Sequence, residues 1–120
     1  MNHQTDPTVI LVLEGALSHI KQGWVQEYSA QDSDGNLVHP THSTACKWCL
    51  TGALIASSSG MKSMKPASNL YLESSRACER VLGIDDLATW NDADKRSQED
   101  VIELLGRVIS HTGRNNDAYS

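Results

Sequence analysis

The stretch Thr44–Ser57, Thr-Ala-Cys-Lys-Trp-Cys-Leu-Thr-Gly-Ala-Leu-Ile-Ala-Ser, limits the fold more than any other part of the chain. Wound as a helix it carries one polar strip, through Lys47, Thr51 and the neighbouring Ser58, and is apolar elsewhere. A helix that is apolar almost all round belongs inside a domain. One face is also small, with Ala45, Cys49, Gly52, Ala53 and Ala56, so a neighbouring backbone can approach closely. The sequence therefore predicts a buried central helix over about 44–57.

The rest of the chain supplies elements to cover it. Asp6-Pro7 is a helix start, with Asp as cap and Pro in the first turn, where a missing N–H costs nothing. Val9, Ile10, Leu13, Ala16, Leu17 and Ile20 follow with helical period, and Gly23 ends the run. Trp24–Ala30 alternates like a strand, Asp32–Asn36 is a turn, and Leu37-Val38 can return, which predicts a small hairpin over about 24–38. Pro66 opens a third helix that Gly83 stops, and Asp85 or Asp86 begins a short helical turn ending near Trp90. Ser97–Asp100 resembles a capping signal ahead of Val101, Ile102, Leu104, Leu105, Val108 and Ile109, with Gly113 as the expected stop. The fold class is α+β and mostly helical: four main helices around the central one, with one hairpin. A single globular domain is expected over 6–113, between disordered ends at 1–5 and 114–120.

Composition excludes several classes of function. A formal net charge of -5, with no basic face in the sequence, argues against nucleic acid as a partner. No segment approaches the ~20 apolar residues of a membrane span. The start carries no basic region, and Val9–Leu13 is too short for a signal-peptide core. Three cysteines, an odd number, do not make a secreted disulfide framework, so a cytoplasmic location is expected.

Three constellations carry chemistry. His39, His42, Cys46 and Cys49 suggest a metal, with both cysteines on one helix face and His42 a turn earlier. Structural zinc draws its ligands from two separated segments, so this single segment makes a weak site, and no cofactor is expected. A thiol nucleophile at Cys49 or Cys46, with His42 or His39 as base and Asn91 as orienter, needs the fold to assemble it. On a helix capped at Ser43 or Thr44, Cys49 lies beyond the first turn, where the helix dipole has faded. Asp32, Asp34 and Asn36 start like a calcium loop, but Gly35 is misplaced and Ser43 stands where a bidentate Glu is needed. Polar and aromatic residues without evident core duty remain: Trp24, Gln26, Trp90, Asn91, Asp92 and Arg96. If the Trp24 strand and the Trp90 segment meet, these residues line one shallow polar cleft.

The same residues carry a resemblance. Gly23-Trp24-x-Gln26, Tyr28-x-Ala30-x-Asp32-x-x-Gly35, Ala45-x-x-Trp48-Cys49-x-x-Gly52-Ala53-Leu54 and Leu87-x-x-Trp90-Asn91-Asp92 occur in that order, followed by Arg96 and Val101–Ile109. In this the chain resembles a domain family of unknown function found in bacteria, notably actinomycetes, and in their bacteriophages. The resemblance implies a small phage or bacterial accessory protein and supplies no activity. The chain departs from the pattern at Glu27, where a small residue is expected; Cys46, Cys78 and the five histidines lie outside it. The expected function is a non-catalytic binding module that engages a protein or small ligand through Trp24, Gln26, Trp90, Asn91, Asp92 and Arg96. The alternative is a thiol-dependent hydrolase or transferase.

Overall fold

Two residues start the fold: Asp6 caps the first helix by accepting from the Thr8 amide at 2.8 Å, and Pro7 occupies the first turn. The computed structural model describes residues 6–117, with side chains through 113. In chain order the elements are α1 (Pro7–Gln22), β1 (Ala30–Gln31), β2 (Lys47–Trp48), α2 (Leu50–Ser59), α3 (Ala67–Leu82), α4 (Leu87–Asn91) and α5 (Gln98–Asp117). The fold is mostly helical, with one antiparallel two-stranded sheet. Helices α1, α2, α3 and α5 pack on one another around Val9, Leu13, Ile20, Leu50, Leu54, Leu70, Val101 and Leu105. No helix among the described residues is long and apolar enough to cross a membrane.

A buried helix is present here, but it begins at Leu50 rather than near Thr44, and the element that packs extensively on the other long helices, α2, α3 and α5, is α1. The preceding residues are committed to sheet pairing. Cys46 N–H donates to the Gln31 carbonyl at 2.9 Å, Trp48 N–H to Gly23 at 3.1 Å, and Cys49 N–H to Ser29 at 3.2 Å. Lys47 faces out and Trp48 in, the alternation of a strand. A tertiary partner has overridden a helical pattern that the same residues also satisfy. The strand partner of Ala30–Gln31 is accordingly Lys47–Trp48. The turn at Asp32–Asn36 forms as expected, with Asp32 Oδ1 accepting from the Asp34 and Asn36 amides at 2.9 Å each. The return at Leu37-Val38 is reduced to a single bridge, Gln31 to Leu37.

Two glycines make this crossing possible. Gly23 ends α1 as expected, its amide donating to the His19 carbonyl at 3.2 Å, but in extended and not left-handed backbone. A Cβ there would lie 2.4 Å from the Cys46 carbonyl oxygen. At Gly52, in the first turn of α2, a Cβ would lie 2.0 Å from the Ser29 carbonyl oxygen. Gly83 does stop α3, in the left-handed region at φ 72. Gly113 does not stop α5, whose backbone continues to Asp117; glycine weakens a helix interior by about 1 kcal/mol relative to alanine but does not forbid it. Disorder is expected at 1–5 and 114–120; the backbone of 114–117 continues α5 instead, and 1–5 and 118–120 lie outside the described residues.

Candidate functional site

Asn91, the last residue of α4, has no exposed surface and organises the region. Its Oδ1 accepts from the Trp24 indole N–H at 2.8 Å and from the Leu50 amide at 3.0 Å. Its Nδ2 donates to the Val25 carbonyl at 3.3 Å and to Asp92 Oδ1 at 2.9 Å. An asparagine amide has two acceptor and two donor positions, and all four are used. The Leu50 amide is one of the donors that the start of α2 leaves without an intrahelical partner, so Asn91 caps a helix 41 residues away in sequence.

The other expected residues gather round it. Gln26 Nε2 donates to the carbonyls of Asn91 and Ala93 at 3.1 and 3.0 Å. The Glu27 amide donates to Asp92 Oδ1 at 2.8 Å. Arg96 donates from Nε to the Trp90 carbonyl at 2.8 Å, and its guanidinium carbon lies 4.0 Å from the centre of the Trp90 ring. Thus Trp24, Gln26, Trp90, Asn91, Asp92 and Arg96 form one network. Their polar atoms are largely engaged with one another and with backbone, in a clasp between residues 24–27 and 90–96.

Beside the clasp lies a cleft of about 100 Å³ lined by Glu27, Tyr28, Ser29, Cys49, Thr51, Ala88, Asn91 and Asp92. Trp24, Gln26, Trp90 and Arg96 are not in its wall. Glu27 is left-handed at φ 75, a conformation costly for a residue with a side chain. That backbone favours glycine at a position where the resemblance implies a small residue. Tyr28, beside it, is 43% exposed. Sequence reasoning did not place Tyr28 and Thr51 in this wall, and it missed Gln98, whose side chain ties the start of α5 to the Ile20 carbonyl at 2.8 Å.

Cys49 is the N-cap of α2 and not a residue beyond its first turn. Its sulfur accepts from the Gly52 amide at 3.2 Å and stands 3.2 Å from Thr51 Oγ1. No histidine lines its cleft. His42 lies in the wall of a different hollow, with His19, Gln22, Pro40 and Trp48. The Thr44 amide donates to His42 Nδ1 at 3.2 Å, and the Thr41 amide donates to His39 Nδ1 at 3.1 Å. Each Nδ1 also meets a threonine hydroxyl, that of Thr41 at 2.7 Å from His39 and that of Thr44 at 2.8 Å from His42. Cys46 and Cys49 share no helix face, since neither lies within α2. Among the described residues no group of three or more His, Cys, Asp or Glu side chains is placed to hold a metal ion, so His39, His42, Cys46 and Cys49 are not assembled as a site.

Burial pushes the Cys78 thiol up to about 12, which keeps it protonated and inert. The carboxyl of Asp86, the cap of α4, is held below the usual range by donation from the Thr89 amide.

A family model described as a family of unknown function, DUF6197, matches residues 4–111. The chain belongs to this family. The match covers all the described helices up to the last turns of α5, and the whole clasp around Asn91. Neither the curated proteins nor the solved structures gave a match to the chain.

Proposed function

We propose that this chain is a small non-catalytic binding module, an accessory protein of a bacterium or its phage, that engages and modulates a cellular or host protein in the cytoplasm. The observation that carries this reading is the posture of the 26–29 loop. Gln26 and Glu27 are pinned to 91–93 by three hydrogen bonds, Glu27 is held left-handed, and Tyr28 is left exposed. A strained backbone persists only where its surroundings hold it. An exposed aromatic ring on a pre-ordered loop loses little entropy on binding, which suits it as an anchor for a protein partner. In this reading Trp24, Gln26, Trp90, Asn91, Asp92 and Arg96 support the recognition surface.

The test is a quantitative pull-down from bacterial lysate with the wild-type protein and Tyr28→Ala as baits of equal melting temperature. A protein retained by the wild type and depleted about tenfold by the variant, a loss of roughly 1.4 kcal/mol, is the expected result. Equal retention by both baits, together with a native mass spectrum free of ligand, overturns the proposal.

One observation favours a second reading, a thiol-dependent hydrolase or transferase. Cys49 caps a helix start, its sulfur accepts from the Gly52 amide, and it borders the Tyr28 cleft. No histidine lines that cleft, and its only carboxylates are those of Glu27 and Asp92. Cys49→Ser keeps a capping acceptor and tests it directly. Full biological effect in that variant removes Cys49 as a nucleophile.

A further inference from the structure

A groove of about 810 Å³ between α3 and α5 is lined by Arg80, Val81, Glu103, Gly106, Arg107, Ser110 and His111. It shares no lining residue with the Tyr28 cleft. In a chain of net charge -5 this gathers two of the five arginines, and Arg76, one turn before Arg80, borders the adjoining hollow. The ion pairs among the described residues are those of Lys65 with Asp6 and Glu73, so among these residues no carboxylate lies within 4 Å of the Arg80 or Arg107 guanidinium. This holds although Glu103 stands four residues before Arg107, the helical spacing at which such pairs usually form.

Gly106 is the second observation. It sits within α5, where glycine weakens a helix relative to alanine. A Cβ added there would meet nothing within 4 Å, so no neighbour in the fold requires its absence. Bare backbone in the wall of a groove does serve a ligand that approaches it closely. The guanidinium fork matches the oxygens of a carboxylate or phosphate. Glu103 on the same wall disfavours a polyanion and suits a molecule that also presents a hydroxyl or amine.

We propose that the α3–α5 groove binds a small organic phosphate or carboxylate, its oxyanion held by Arg80 and Arg107 over Gly106 and a hydroxyl or amine turned to Glu103. The test is a titration of the isotope-labelled full chain with glycerol 3-phosphate and, separately, with glycerate, at ionic strength held constant with sodium chloride. Saturable amide shifts over residues 103–111 are expected with at least one probe, and the stronger probe tells phosphate from carboxylate. Arg107→Gln should weaken that binding at least tenfold. Lys62→Gln, which removes the same charge from the segment before α3, should leave it unchanged. Gly106→Ala should raise the melting temperature and still weaken binding, a combination that a merely structural glycine does not produce. Shifts that never saturate, equal losses in Arg107→Gln and Lys62→Gln, or wild-type binding in Gly106→Ala would each overturn the site.

Discussion

The indole N–H of Trp24 and the side-chain oxygen of Asn91 meet at 2.8 Å across 67 residues of sequence, and the same oxygen caps the Leu50 amide. One buried amide thereby fixes the end of α1, the start of α2 and the end of α4 relative to one another. Its removal strands a buried helix-start N–H together with a part-buried indole N–H and carbonyl. Each unsatisfied buried group costs on the order of 1–3 kcal/mol, with part recovered by relaxation. Asn91→Ala should therefore lower unfolding stability by about 3 kcal/mol. Urea denaturation measures this, and a loss under about 1 kcal/mol would mean the network is dispensable.

Glu27 offers the opposite sign. At φ 75 it carries a left-handed cost that glycine does not. Glu27→Gly should raise stability by roughly 1 kcal/mol, and Glu27→Val should lower it by at least as much, because β-branched residues tolerate this region worst. Melting temperatures of the pair decide the matter. If both variants melt below the wild type, the glutamate side chain is stabilising the loop.

Gly52 is constrained by contact and not by dihedral. A methyl group there would press on the Ser29 carbonyl, which is backbone and cannot swing aside. Gly52→Ala should cost about 3 kcal/mol through the separation of α2 from the loop, despite alanine's better helix propensity. A calorimetric melt at or above the wild-type temperature would show that the loop yields freely.

His19 packs on Trp48 with ring centroids 4.4 Å apart and planes tilted by 45°, and its Nδ1 is buried without a hydrogen-bond partner among the described residues. Burial lowers its pKa below the 6.5 of an exposed imidazole. The unfolded chain then binds the proton more readily, so stability is fully present above pH 6.5 and is lost as pH falls from 6.5 through the lower folded-state value. Asp6, Asp32 and Asp86, each held below 3.8, add a further loss only at more acid pH. Melting temperature followed from about pH 7 to pH 5 should fall in the wild type and stay level in His19→Gln. Parallel curves would remove His19 as the cause.

The three thiols should differ in alkylation. Cys46 is partly exposed, Cys49 is 7% exposed, and Cys78 is fully buried with its thiol pushed up to about 12. Peptide mass spectrometry should find Cys46 modified first and Cys78 only on unfolding. Fast labelling of Cys49 well below about pH 8.5 would move the thiol reading ahead of the binding reading.

The elements that could be placed from the sequence are those whose signals are local. Asp6-Pro7, the period from Val9 to Ile20, Pro66 with Gly83, and Asp86 before Leu87 specify starts, faces and stops within a few residues. Those interactions close within one or two helical turns, so they are legible from the chain alone. The set Trp24, Gln26, Trp90, Asn91, Asp92 and Arg96 was also legible as a group of polar residues in search of a role. What that group does was decided in three dimensions. Cys46–Trp48 fit a helix pattern and a strand equally well, and only the edge offered by Gly23–Val25 and Ser29–Gln31 chose between them. The same choice moved Cys49 to a helix cap, and the Asp92 contact put Glu27 in a left-handed turn. Backbone pairing and buried amide bonds join residues far apart in sequence, and no local period records which distant partner will satisfy them.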